Sequence, residues 1–172
     1  VGAITGQATN TIASSYTSGN ININGSGYVG GLAGYINNTV RNSFVQDVNV
    51  TSSSGKAGGF TGVFGSAASY DKISIKGTIN VSGSNCIGGY VGASNISLSN
   101  LNANVTGTVK ATSGYAGGIA GSITSSRTIS NCNATMSITG SGGNYVGGIV
   151  GYANSATISQ SSYNGTITAT DT

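Results

Sequence analysis

The chain has 172 residues, of which 30 are glycine, 37% hydrophobic and only 5% charged, with no proline, tryptophan or histidine. Six Lys and Arg against three acidic residues give a net charge of +3; cations so dispersed (Arg41, Lys56, Lys72, Lys76, Lys110, Arg127) do not make the clustered footprint that nucleic acid requires. No run approaches the ~20 apolar residues of a membrane-inserted helix, and without histidine or glutamate the common acid–base and metal-ligating side chains are largely missing.

From the first residue the chain follows a hexad. V-G-A-I-T-G (1–6) returns as V-G-G-L-A-G (29–34), A-G-G-F-T-G (57–62), I-G-G-Y-V-G (87–92), A-G-G-I-A-G (116–121) and V-G-G-I-V-G (146–151), at spacings of 28, 28, 30, 29 and 30. A period in this range marks units that bury their apolar face only by stacking on neighbours. The expected fold is therefore all-β: one β-solenoid domain of six coils, 1–28, 29–56, 57–86, 87–115, 116–145 and 146–172.

After each hexad come turn-forming residues: Asn37 and Asn38, Gly65 and Ser66, Ser94 and Asn95, residues 124–126, Asn154 and Ser155. These read as a corner. A Ser or Thr followed by an apolar residue then opens a second strand (Thr11 and Ile12, Thr39 and Val40, Ser69 and Tyr70, Ser97 and Leu98, Thr128 and Ile129, Thr157 and Ile158). Beyond it the pattern alternates strictly. Ile73, Ile75, Gly77, Ile79 and Val81 face Ser74, Lys76, Thr78, Asn80 and Ser82; Leu101, Ala103, Val105, Gly107, Val109 and Ala111 repeat the pattern one coil on. Period two with β-branched residues signifies strands with one buried face. Gly19, Asp47, Gly77, Gly107 and Gly165 interrupt the alternations where a bend is needed, so about three short strands per coil are expected. The hexad glycines let the chain bend sharply or admit a neighbouring backbone, which makes the fourth hexad residue (Ile4, Leu32, Phe60, Tyr90, Ile119, Ile149) the core ladder. The hexad lacks a Walker lysine and no helix follows it, so it is not a phosphate loop.

G-G-L-A-G, G-G-I-A-G and G-G-I-V-G, with the T-I-S-N-C-N-A-T strand of residues 128–135, resemble the GLUG repeat of bacterial and protist surface proteins and adhesins. The resemblance spans all six coils and is strongest in the second, fifth and sixth. It implies an extracellular or cell-surface β-solenoid module and brings no catalytic residues with it. The first coil departs from the pattern at Ala3, and the third carries Phe60 and Thr61 within its hexad.

Chemistry-bearing residues are few. Asp47, Asp71 and Asp171 differ in repeat phase, so no pair of carboxylates converges and no enzyme is expected; no metal or cofactor site is expected either. Cys86 and Cys132 fall on different rungs and different sides of the repeat, which predicts two free thiols rather than a disulfide. Eight sequons, at Asn24, Asn37, Asn49, Asn80, Asn95, Asn104, Asn133 and Asn164, lie at polar phases or corners and are candidate N-glycosylation sites for a eukaryotic source. Tyr28, Tyr115 and Tyr145 share one repeat position, as a packing column or as a strip on which sugar rings stack. The Ser, Thr and Asn columns read as a solvated face; a regular threonine array would instead resemble an ice-binding surface, and Asn22, Asn24, Asn49, Asn80 and Lys110 interrupt it.

No signal peptide is visible, so the chain reads as a mature product or a segment. Neither end carries a capping segment. Joining residues 166–172 to residues 1–6 gives T-I-T-A-T-D-T-V-G-A-I-T-G, which resembles the internal junction at 108–121. The expectation is a stiff spacer or fibre element that partners itself, as tandem copies or head to tail, with glycans as the alternative partner.

Overall fold

The structure, a computed structural model, describes residues 1–124, 126–141 and 145–170. Ser125 of the fifth corner, Asp171 and Thr172 lie outside the described residues. The fold is an all-β solenoid of six turns in which the strand pairings between coils are parallel, and there is no helix among the described residues.

The hexad is the element that shapes each coil. It is two limbs rather than one strand: Val29–Gly30 and Ala33–Ile36 flank a bend at Gly31 and Leu32. The first limbs stack into a five-stranded sheet (Val29–Gly30, Ala57–Gly58, Cys86–Gly88, Tyr115–Gly117, Tyr145–Gly147), and the second limbs into a six-stranded one beginning at Thr5–Ala8. Register in the latter runs unbroken from Thr5 through Ala33, Thr61, Val91 and Ala120 to Val150.

Glycine makes this arch feasible because its limbs pack backbone on backbone. A Cβ on Gly30 would lie 2.2 Å from the Ala33 carbonyl oxygen, and one on Gly34 would lie 2.6 Å from that of Tyr28. The tip of the arch enters the solenoid interior, where Leu32, Phe60, Tyr90 and Ile119 are all 0% exposed. The core ladder expected from the fourth hexad position thus holds through four coils. At the ends it opens: Ile4 is 48% exposed and Ile149 only partly buried, since an end coil has a neighbour on one side alone.

Facing the tips is the wall built by the alternating strands, Thr39–Ser52 in the second coil and Ser69–Gly83 in the third. Val45, Val48, Val50, Ile75, Ile79 and Val81 point inward and are buried. The expected bends fall at Gly19, Asp47, Gly77 and Gly107, all with positive φ. Gly165 is not among the positive-φ residues; there the Tyr163 hydroxyl donates to the Thr166 carbonyl at 2.8 Å and closes the turn. Opposite Asp47 the third coil carries an extra residue, a bulge between Lys76 and Ile79.

Another corner was not anticipated. Ser14, Asn42, Lys72, Asn100, Asn131 and Gln160 occupy equivalent places in the six coils, and all have φ between 48° and 57°. This left-handed column parts the Ser/Thr–apolar pair that opens the second strand from the alternation that follows it. Together with the divided hexad it gives five short segments in each of the last three coils, such as Tyr115–Gly117, Ala120–Ile123, Thr128–Ser130, Asn133–Ala134 and Ser137–Ser141, in place of about three.

The residue after the left-handed one stabilises the corner. Ser15, Ser43 and Ser161 donate their hydroxyls to the carbonyls two residues back at 3.0, 2.8 and 2.8 Å, and the Cys132 thiol does the same at 3.3 Å. In the third and fourth coils this place is held by Ile73 and Leu101, which have no hydroxyl. There the ladder is interrupted. Ser69–Gly83 pairs with the fourth coil only from Thr78 onward, while Leu98–Ser99 and Asn102–Ala103 pair only with the fifth. Two tyrosines fill the seam. The Tyr70 hydroxyl donates to the Ser99 carbonyl at 3.0 Å and accepts from the Ser99 N–H at 2.5 Å, and the Tyr90 hydroxyl donates to the Ile73 carbonyl at 2.9 Å. Burial pushes both phenols above their ordinary pKa, so they remain donors at neutral pH.

Tyr70→Phe should therefore leave both backbone groups of Ser99 without a partner, at a cost of about 1–3 kcal/mol. The denaturant midpoint measures the loss, and hydrogen exchange should show the Ser99 amide unprotected. An unchanged midpoint in Tyr70→Phe would mean the seam does not depend on that hydroxyl.

Candidate functional site

At the outer mouth of each arch two side-chain columns meet, one from the residue before the hexad and one from the residue after it. The first runs Tyr28, Lys56, Cys86, Tyr115, Tyr145, and the second Gln7, Tyr35, Val63, Ala93, Ser122, Tyr152. The sequence reading placed Tyr28, Tyr115 and Tyr145 in one strip. The structure joins only the last two: Tyr115 and Tyr145 stack with ring centroids 5.6 Å apart and planes 12° apart. Tyr152, which the sequence reading missed, completes the cluster at 4.7 Å from Tyr115 and 5.8 Å from Tyr145.

Tyr28 stands three rungs from Tyr115, on the order of 14 Å along the axis at ~4.8 Å per rung, with Lys56 and Cys86 between. Its own partner is Tyr35, at 6.0 Å, and the Lys56 ammonium lies 5.5 Å from its ring centroid. The aromatic strip is thus two separate clusters. Beside the larger one lies a surface cleft of about 240 Å³, lined among others by Tyr115, Tyr152, Ser122, Thr124 and Asn154. Tyr145 is 59% exposed and Tyr152 38%.

All eight sequon asparagines are exposed or partly exposed, yet they are not equivalent. The Asn49 amide nitrogen donates to the Asn22 side-chain oxygen at 3.0 Å, and that of Asn80 donates to Asn49 at 2.9 Å. Thr108 continues this ladder with its N–H and its hydroxyl on the Asn80 oxygen. The amide nitrogen is the atom to which an N-glycan is attached, so at Asn49 and Asn80 it is already engaged. Asn37 and Asn133 use their oxygens, accepting from the Ala67 N–H at 3.1 Å and the Ser162 hydroxyl at 2.6 Å. Asn24, Asn95, Asn104 and Asn164 lie outside these ladders. The adjoining outward column runs Asn24, Thr51, Ser82, Lys110, Thr139, Thr168, a mixed series in which the Thr51 and Ser82 hydroxyls bond each other at 3.1 Å.

The carboxylates fall at separate corners. Asp47 accepts from the Thr78 N–H at 2.8 Å and from the Gln46 amide at 3.1 Å; these bonds, the backbone one first, hold it below the ordinary carboxylate pKa. Asp71 lies beside left-handed Lys72, and Asp171 is outside the described residues. Cys86 and Cys132 are both buried and unpaired, as expected, and burial raises both thiols above their usual pKa. No group of three His, Cys, Asp or Glu residues converges among the described residues.

In comparisons with known proteins no family model matches the chain, and no curated protein and no solved structure matches it.

Proposed function

We propose that this chain is an extracellular or cell-surface structural module, a stiff spacer or fibre element whose coil ladder continues end to end into further coils or copies. The observation that carries the reading is the apolar face of the sixth coil. Ile158 and Ile167 are 47% and 45% exposed and Ile149 is partly so, whereas their counterparts one coil earlier, Ile129, Ile138 and Ile119, are 0%, 1% and 0% exposed. One further coil in the same register would bury them and pair the open edge of each sheet. Rigidity follows from the parallel second limbs of the hexads, which stay in register across all six coils. The resemblance of the hexads to GLUG repeats, together with the exposed sequons, supports the extracellular assignment.

Self-association is the test. Concentrated protein should form rods that lengthen in steps of about 29 Å, six rungs at ~4.8 Å, visible by negative-stain microscopy and light scattering. A tandem duplication of the chain should unfold at a higher denaturant concentration than one copy. Ile158→Lys with Ile167→Lys should abolish the rods. Particles that stay monomeric at high concentration, together with a duplication no more stable than one copy, would overturn the reading.

A further inference from the structure

We infer that the corner between the third and fourth coils is a hinge: the solenoid opens there first, its two corner edges parting while the hexad limbs keep the halves joined. At the neighbouring corners backbone meets backbone. Between the second and third coils Thr39, Arg41, Ser43 and Val45 pair with Ser69, Asp71, Ile73 and Ile75, and between the fourth and fifth Leu98, Ser99, Asn102 and Ala103 pair with Ile129, Ser130, Asn133 and Ala134. Between the third and fourth, among the described residues, the wall pairing begins only at Thr78. What crosses the corner before it is side chain: the Tyr70 hydroxyl on both backbone groups of Ser99 and the Tyr90 hydroxyl on the Ile73 carbonyl.

The gap reaches the surface. A cleft of about 270 Å³ lies in it, lined by Tyr70, Asp71, Lys72, Ser99 and Asn100 among others, and Asp71, Lys72 and Asn100 are exposed. On the other sides the same two coils are tied through the main chain, since Gly58 pairs with Gly88, Thr61 with Val91, and Thr78 through Gly83 with residues 106–111. The opening therefore has an axis. The corner edges swing apart about the hexad limbs, where the Phe60 and Tyr90 rings stay packed with centroids 5.8 Å apart. In a linear array the stability is a sum of coil and nearest-neighbour terms, so opening begins at the interface that lacks part of its ladder. The hinge belongs to the single chain and does not rest on end-to-end continuation; in a spacer it is one compliant point in an otherwise continuous ladder.

Native-state hydrogen exchange of the intact chain is the test. The Ser99 amide, bonded back across the hinge to Tyr70, is expected to exchange at least about tenfold faster than the Asn133 amide, bonded back across the next corner to the Leu101 carbonyl at 3.0 Å. Asp71→Cys with Ser99→Cys then staples the two lips, as a disulfide or, across a wider gap, through a bis-maleimide. Both natural cysteines are buried, which confines the closure to the new pair. Stapling should slow the amide of residue 99 at least about tenfold relative to the unstapled variant and leave the Asn133 amide unchanged. Equal exchange at Ser99 and Asn133 in the natural chain overturns the hinge. So does a stapled protein that exchanges as fast as the unstapled one, because the fast exchange would then belong to the tyrosine hydroxyl alone and not to a parting of the coils. Rod formation enters neither reading, so failure here and failure of the structural role are distinguishable.

Discussion

Ile119→Asp is expected to disrupt the fourth to sixth coils, with a loss of about 4 kcal/mol or more, because it places a carboxylate where the side chain is 0% exposed and ringed by apolar neighbours. Its backbone is also central to the ladder: the Ile119 carbonyl accepts from both Tyr90 and Val91, and its N–H donates to Ile149 at 2.9 Å. The loss should depend on pH with a definite sign. A buried carboxyl has its pKa raised on folding, so between the unfolded value near 4 and the raised folded one the native state binds more protons than the unfolded state. Stability then falls as pH rises through that window and is least impaired at or below about pH 4. Ile119→Asn should lack this dependence. Ile4→Asp is the sharper control, since the same motif position is 48% exposed in the first coil and the change should cost well under 1 kcal/mol there, in the range of ordinary surface substitutions. Denaturant midpoints at pH 4 and pH 7 decide the matter; equal losses for Ile4→Asp and Ile119→Asp would remove the core ladder from the account.

That contrast also shows what a repeat discloses and what it hides. The hexad spacing fixes the number of coils, and the alternation separates inward from outward residues, because both are periodic and a period needs no knowledge of neighbours. Gly19, Asp47, Gly77 and Gly107 were legible as bends since each breaks an otherwise regular alternation. The left-handed column was partly legible too. Asn42, Asn100 and Asn131 are the residue type that tolerates αL, but Ser14, Lys72 and Gln160 carry no such preference, so the column shows only when the coils are stacked.

Pairings across the arch were beyond reach. Tyr115 meets Tyr152 because the hexad folds back on itself, and nothing in the spacing distinguishes a folded hexad from a straight one. The seam between the third and fourth coils is hidden for a similar reason. Ile73 and Leu101 look like sound members of an alternating strand, and Tyr70 like one more apolar residue at its start. What they do depends on which hydroxyl is missing in one coil and which is offered by another. Ile4 and Ile119 have the same place in the motif and opposite environments, a difference of position along the axis that a single repeat does not record.

The second glycine of the hexad gives the other large expected effect. Gly31, Gly59, Gly89 and Gly118 form a column in which a Cβ on each would lie 2.1, 2.2, 2.2 and 2.4 Å from the carbonyl oxygen of the same glycine one coil on. In Gly89→Ala the added methyl would also meet the Met136 sulfur at 2.5 Å. The methionine side chain can swing away, but the Gly118 carbonyl cannot, because it belongs to the bend whose neighbours hold both limb sheets in register. Relief requires the fourth and fifth arches to separate, and the expected loss is about 3 kcal/mol or more, at the upper end for overpacking. In the first coil Ala3 stands at this place, and Gly2 bridges Gly30. Gly6→Ala supplies the comparison, since a Cβ on that hexad glycine meets nothing within 4 Å, and its replacement should be neutral or slightly stabilising through the unfolded chain. Thermal midpoints of the two variants test whether close approach, rather than glycine content, is what the repeated pair provides: a Gly89→Ala protein as stable as Gly6→Ala would show that the arches have room the structure does not grant them.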